Sequence, residues 1–120
     1  MELDKLIEVA RTALDDMKAE DIQVIDIQGK SSMTDTIILA TGASTRHVKS
    51  LANAVSVAVK ENGEEPMGTE GEGEGEWVLV DLNSVIVHVM LPDVRDYYKL
   101  EKMWERPEAV EKIAAVREED

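Results

Sequence analysis

The sequence predicts a single α/β domain in which a mixed β-sheet is flanked by helices. Apolar residues recur with helical spacing over two long segments, and short runs rich in Val and Ile, bounded by turn residues, lie between and after them. The 120 residues are 43% hydrophobic, which is enough for one unaided core. Strands interleaved with helices in this order are typical of helices packed against a sheet.

Two segments have the periodicity of amphipathic helices, one from residue 3 to about 18 and one from 45 to 62. Ser44 or Thr45 can cap the second helix, and Gly63 suits the left-handed position after its last turn. A further helix is predicted from Pro107 to about 116, with a frayed acidic tail after it.

The remaining apolar runs predict strands at Ile22–Ile27, Thr36–Thr41, 77–82 and 85–91, with a short edge strand near Pro66-Met67. The run 36–41 is apolar on both faces and is therefore expected at the centre of the sheet. A tight turn at Asn83-Ser84 joins the last two strands. Pro92 ends the last strand, and residues 93–104 are predicted to be irregular or partly helical.

Residues 68–76 are predicted to form a mobile acidic loop. Glu and Gly alternate from Glu70 to Glu76, so the carboxylates repel one another and offer nothing to a core. Such a run could attract divalent cations, but it lacks the Asp/Asn pattern of a calcium loop. We interpret it as a solvated loop.

The charge balance excludes several classes of function. With 26 acidic and 13 basic residues the chain carries a net charge of -13, which argues against broad binding to a phosphate backbone and favours a basic protein partner. The absence of Cys excludes disulfides and thiolate metal sites. The N-terminus is acidic and no apolar run is long, so we expect a cytoplasmic protein without a secretory signal or a membrane span.

Two features could carry chemistry. The segment Thr41–Ser44 lies between a strand and a helix N-terminus, where an anion could bind, although a plain helix cap is the favoured interpretation. Nucleotidyl transfer would need closely spaced carboxylates on a following strand, but Asp81 stands alone. His47 is expected to be exposed. His88 interrupts an apolar strand face and is either hydrogen-bonded in the core or part of a contact surface.

All four aromatic residues lie between Trp77 and Trp104. Aromatic side chains dominate both cores and the centres of interfaces. We expect Trp104 to complete the core and at least one of Tyr97 and Tyr98 to be accessible, because adjacent side chains point in different directions. The region around them is the predicted contact surface.

Several segments, read in order, resemble the ribosomal silencing factor family, also called Iojap-like: Lys18–Ile22, Gly29–Asp35, Ala40–Ser44, Glu76–Leu82, Val87–His88 and Asp96–Trp104. The resemblance spans about residues 3–106, and we take residues 1–106 as the domain. It implies a nucleotidyltransferase-like fold without a catalytic carboxylate pair, no enzymatic activity and no cofactor. It also implies binding to ribosomal protein uL14 on the large subunit and a steric block to joining of the small subunit. Relatives in mitochondria and chloroplasts imply large-subunit assembly as an alternative.

The resemblance also implies a protein-binding site around the last two strands and the segment after them. The positions that it marks are Trp77, Leu82, His88, Pro92, Tyr98 and Leu100. An exposed apolar patch of this kind can also pair with itself, so we expect a weak homodimer in the free state.

Overall fold

The computed structural model describes residues 1–29 and 34–98 and places three helices and five strands within them. Their order is α1 (Leu3–Asp16), β1 (Glu20–Asp26), β2 (Thr36–Thr41), α2 (Thr45–Glu61), β3 (Gly68–Glu70), β4 (Trp77–Asp81), β5 (Val85–Met90) and α3 (Pro92–Tyr98). The predicted α/β class with a mixed sheet and flanking helices is confirmed.

The five strands form one sheet in the order β1-β2-β5-β4-β3. β2 and β5 run parallel at its centre, and every other neighbouring pair is antiparallel. Every residue of β2 and of β5 is buried, which confirms the central position predicted for Thr36–Thr41. The tight turn between β4 and β5 is also confirmed, with Asn83 in the left-handed region and its N–H donated to Asp81 Oδ1 at 2.8 Å.

The two faces of the sheet bury different cores. Helices α1 and α2 cover one face, where Val78, Val80, Val85, Val87 and Val89 pack against helix residues such as Leu14, Leu51 and Val55. The opposite face holds a smaller cluster of Ile25, Ile27, Ile37, Leu39 and Met90, against which Trp77 and Val94 pack. Because side chains alternate along a strand, His88 lies on this second face, between Ile86 and Met90.

Element bounds differ from prediction where the backbone adopts special conformations. Helix α1 ends at Asp16, two residues early, because Lys18 is in the left-handed region with φ of 64°. Strand β1 begins at Glu20, earlier than predicted, and contains a register shift between Glu20 and Gln23. Residues 92–98 are helical, in line with the partly helical segment predicted there. The rest of that segment and the helix predicted from Pro107 lie outside the described residues.

The acidic segment is partly ordered into the sheet. Its first three residues form β3, an edge strand that lies two residues beyond the predicted position, so the loop is shorter than 68–76. Glycine 75 is buried, and a Cβ there would approach Lys49 Cε to 2.6 Å. The loop therefore rests on the first turns of α2, and its mobility stays a prediction. Within residues 1–29 and 34–98, none of the helices is long and apolar enough to cross a membrane.

Candidate functional site

Three of the predicted contact residues, Trp77, His88 and Pro92, lie toward one end of the sheet, which we call the Trp77 end. Here β4 begins and β5 ends, with Trp77 paired to Met90 across the two strands. Helix α3 begins at Pro92, and the Leu91 N–H bonds to the Glu76 carbonyl at 3.0 Å. The start of β4 and the start of α3 are therefore adjacent in the fold.

Trp77 is held by His88 on the second face of the sheet. The indole Nε1–H donates to His88 Nδ1 at 3.0 Å, and the two ring centroids lie 5.8 Å apart with their planes at 47°. Trp77 is half-buried, whereas His88 is fully buried. A partly exposed aromatic whose orientation is fixed by a buried partner is preorganised for contact, because less side-chain freedom is lost on binding.

His88 is a neutral imidazole in this setting. Burial lowers its pKa from 6.5 to about 3, because the charged form would lose its hydration without gaining a counter-charge. Since Nδ1 accepts from Trp77, the ring proton is assigned to Nε2, which is buried and has no acceptor among residues 1–29 and 34–98. Of the two interpretations of His88, the structure favours the hydrogen-bonded core residue, because the side chain is fully buried. His88 affects the surface only by fixing the orientation of Trp77.

A cavity of about 840 Å³ adjoins Trp77 where the acidic loop turns. Gly71 fits this turn because it has φ of 87° and because a Cβ would lie only 2.2 Å from the Trp77 carbonyl oxygen. The loop backbone is therefore packed directly on the first residue of β4. The cavity is lined by Thr69, Glu70, Gly71, Gly73, Glu74, Glu76, Trp77 and Val94.

The other predicted site residues lie in different parts of the fold, and only some of them are near Trp77. Pro92 is exposed at the start of α3, beside Trp77. Leu82 is 7% exposed and belongs to the core on the helix side, at the opposite end of β4, about 16 Å along the strand from Trp77. Tyr98 ends α3, but its side chain, like the whole of Leu100 and Trp104, lies outside the described residues.

Arg95 was missed by the sequence interpretation although it is central to the Trp77 end. Arg95 is only 8% exposed, and its guanidinium donates to groups on β1 and β2 that are 54 to 74 residues distant in the chain. No periodicity or spacing in the sequence connects Arg95 with them. Only the order of strands in the sheet brings these groups together.

The start of α2 is a capped helix end. Ser44 Oγ accepts from His47 N–H at 3.1 Å, and His47 Nδ1 accepts from Ala43 N–H at 2.9 Å. The favoured interpretation of Thr41–Ser44 as a cap is confirmed. The expectation that His47 is exposed is wrong, because its Nε2 donates to the Met17 carbonyl at 2.8 Å and the side chain is half-buried between the helices.

Replacement of Ser44 by Ala should lower the free energy of unfolding by about 1 kcal/mol, because the His47 N–H loses its acceptor. Chemical denaturation of the wild type and the variant measures the difference. Ser56→Ala, in the middle of the same helix and away from its caps, is the control and should change stability little. Equal stability of Ser44→Ala and the wild type would contradict the capping role.

The described residues contain no group of three or more His, Cys, Asp or Glu side chains arranged to hold a metal ion. A nucleotidyltransferase interpretation would place Asp35 or Asp81 on a metal ion, and Asp81 accepts the Asn83 N–H in the β4–β5 turn. Ser44, the residue expected near phosphate in that interpretation, is used as the helix cap. These contacts give both side chains a structural role.

Comparison with known proteins gives a consistent result. The family model described as "Ribosomal silencing factor during starvation" (RsfS) matches residues 1–120. A ribosomal silencing factor of Chromobacterium violaceum is 49% identical over 104 residues, covering 87% of this chain and 85% of that protein. The factor of Haemophilus influenzae is 42% identical, covering 82% of this chain and 97% of that protein.

Related folds and more distant relatives agree. A crystal structure of a Chromobacterium violaceum protein, 48% identical, superposes with a TM-score of 0.85 and covers 88% of each chain. The mouse protein "Mitochondrial assembly of ribosomal large subunit protein 1" is 30% identical over 106 residues, which make up 86% of this chain and 45% of that protein. By its family model, its relatives and its fold, this chain belongs to the ribosomal silencing factor family.

Proposed function

We propose that this protein represses translation by binding the large ribosomal subunit through ribosomal protein uL14 and blocking the joining of the small subunit. Membership of the ribosomal silencing factor family is the observation that carries the proposal. The mechanism is steric: a folded domain seated on the intersubunit face occupies space that the small subunit needs. It requires neither a cofactor nor turnover, and it takes place in the cytoplasm, where the ribosomes are.

The Trp77 end supplies a surface suited to such a contact. It combines a half-buried aromatic ring of fixed orientation with the exposed Pro92 at the start of α3. Preorganised aromatic anchors surrounded by residues that exclude water are the usual energetic centre of a protein interface. Tyr98, the last residue of α3, and Leu100, which follows the helix in the chain, extend the proposed surface. The contribution of Leu82, which is buried on the helix side, stays a prediction from resemblance alone.

The net charge of -13 supports a basic protein partner. Charge complementarity raises the rate of encounter more than it raises final affinity. The same charge opposes direct binding to ribosomal RNA, so the docking site is expected to be a protein surface within an assembly that is mostly RNA. Binding that weakens moderately with salt would fit this picture.

Sedimentation of the protein with purified large subunits and, separately, with purified small subunits tests the proposal. We expect co-sedimentation with large subunits only, and reduced formation of joined ribosomes when the protein is added before the small subunit. Loss of co-sedimentation on large subunits that lack uL14 would identify the partner. Failure to bind large subunits would overturn the proposal.

A second candidate is a role in large-subunit assembly, which the 30% identity to the mouse mitochondrial assembly protein favours. Depletion of the protein followed by sedimentation of cell extracts separates the two functions. Accumulation of precursor large subunits would indicate assembly, whereas mature subunits with increased joining would indicate silencing. Calorimetry with nucleotide and magnesium tests the nucleotidyltransferase alternative, for which binding plus turnover would be required.

The free protein is expected to form a weak homodimer through the same surface, because an apolar patch without its ribosomal partner can pair with itself. Light scattering over a concentration series measures the association. The average mass should rise with concentration and fall back to that of a monomer in the Trp77→Ala variant. A strict monomer at high concentration would contradict the prediction.

A further inference from the structure

Helix α3 is too short to be stable without contacts to the rest of the fold. Its described part has seven residues, and isolated helices shorter than about 12 residues are marginal in water. Its place must therefore be set by contacts with the rest of the fold. Two neighbouring side chains contribute to these contacts: Val94 packs against the apolar cluster on the second face, and Arg95 reaches β1 and β2.

Strand β1 has a bulge that faces Arg95. Three steps along β1, from Glu20 to Gln23, oppose two steps along β2, from Thr41 to Leu39, so one extra residue is inserted. Asp21, inside this bulge, has φ of 48°, a conformation that costs free energy for a residue with a side chain. Bulges take a residue out of the regular strand ladder and re-aim its groups. Here the Asp21 carbonyl accepts a hydrogen bond from Arg95 Nη1.

The two terminal nitrogens of the Arg95 guanidinium together make three hydrogen bonds to β1 and β2. Nη1 also donates to Thr41 Oγ1 at 3.0 Å, and Nη2 donates to Gln23 Oε1 at 3.3 Å. The residue is almost fully buried, and these acceptors offset the hydration that the guanidinium loses on burial. A lysine keeps the charge but lacks the second nitrogen, so it loses at least the bond that Nη2 makes to Gln23, and its ammonium lacks the fixed planar geometry of the guanidinium.

We propose that Arg95 is a positioning residue for the ribosome-docking surface: by tying α3 to the β1 bulge and to the end of β2, it fixes where Pro92 and Tyr98 stand relative to Trp77. The hydrogen bonds of Arg95 support its role in positioning α3. The expected effect on ribosome binding rests on the proposed function. Arg95 itself does not touch the ribosome. It acts through the helix that carries it.

The test compares full-length wild type with Arg95→Lys, and with Arg11→Lys as a matched control on the exposed face of α1. Hydrogen exchange of the free protein should show amides of α3 exchanging at least about tenfold faster in Arg95→Lys, with α2 unchanged. The Kd for purified large subunits should rise about tenfold or more. Arg11→Lys should change neither quantity.

A double-mutant cycle separates positioning from a general loss of stability. In a Tyr98→Ala background the effect of Arg95→Lys on Kd should shrink to less than about twofold, because the residue being positioned is absent. Full additivity of the two substitutions would overturn the inference, and so would wild-type affinity of a folded Arg95→Lys.

Thr41→Val provides a second route if Arg95→Lys fails to fold. It removes one acceptor of the guanidinium while keeping the shape of the side chain, and it should shift exchange and Kd in the same direction by a smaller factor. The hydrogen-exchange measurement needs no ribosome. If the wild type fails to bind large subunits, the proposed function fails, whereas unchanged exchange in α3 overturns the positioning role in either case.

Discussion

Replacement of Trp77 by Ala should weaken binding to the large subunit by about 2 kcal/mol or more, which corresponds to a rise in Kd of roughly 30-fold. The substitution removes the half-buried ring at the centre of the proposed surface and leaves His88 Nδ1 without its donor. Equilibrium sedimentation with large subunits measures the loss, and an assay of subunit joining should show a parallel loss of repression. Tyr98→Ala is expected to have an effect of similar size.

Two further variants make this result interpretable. Trp77→Phe keeps an aromatic ring but removes the indole N–H, so a smaller loss of affinity would separate contact area from the hydrogen bond to His88. Val57→Ala is the surface control, because Val57 is 44% exposed on the outer side of α2. Circular dichroism should confirm that each variant is folded. A folded Trp77→Ala that binds as tightly as the wild type would remove Trp77 from the site.

Acidification should destabilise the protein through His88 in particular. The pKa of His88 is about 3 in the folded protein and 6.5 in the absence of burial, so the unfolded chain binds a proton at mildly acidic pH that the folded chain does not. This contribution to stability is complete above pH 6.5 and is lost as the pH falls toward 3. Between neutral pH and about pH 5 the loss should be about 2 kcal/mol.

His88→Gln isolates this effect, because glutamine can accept the indole N–H but does not titrate. Denaturant unfolding at about pH 7.5 and about pH 5 should show a smaller drop in free energy for the variant, by about 2 kcal/mol. The carboxylates are common to both proteins and cancel in the comparison. If wild type and His88→Gln lost the same stability, His88 would not be the group responsible.

Local sequence was sufficient to predict most of the elements. The run Thr36–Thr41 is apolar on both faces, and such a run is satisfied only at the centre of a sheet, where β2 is found. Ser44 and Gly63 correctly predicted the two ends of α2. An N-terminal cap and a left-handed residue after the last turn each depend on only one or two residues. These predictions succeeded because the interactions that decide them connect residues close in the chain.

The predictions that failed involve contacts between segments distant in the chain. His47 was expected in solvent, yet the Met17 carbonyl at the end of α1 lies within hydrogen-bond distance of its ring. The acidic run looked incapable of packing, yet its first residues extend the sheet and Gly75 rests against α2. The partners of His47 and Gly75 are 26 residues or more away in the chain. The residues of β3 pair with residues of β4 that lie 9 to 13 positions later, and no sequence pattern describes that backbone edge.

The sequence alone determined the α/β class, the central strand, the helix caps and, through motifs in register, the family. The tertiary structure decided which residues make up the surface at the Trp77 end. It buried His88 behind Trp77, placed Leu82 in the opposite core, and linked α3 to the β1 bulge through Arg95. Side-chain alternation predicts which residues of one strand share a face. The order and register of strands, which depend on packing of the whole chain, decide which residues of different strands meet.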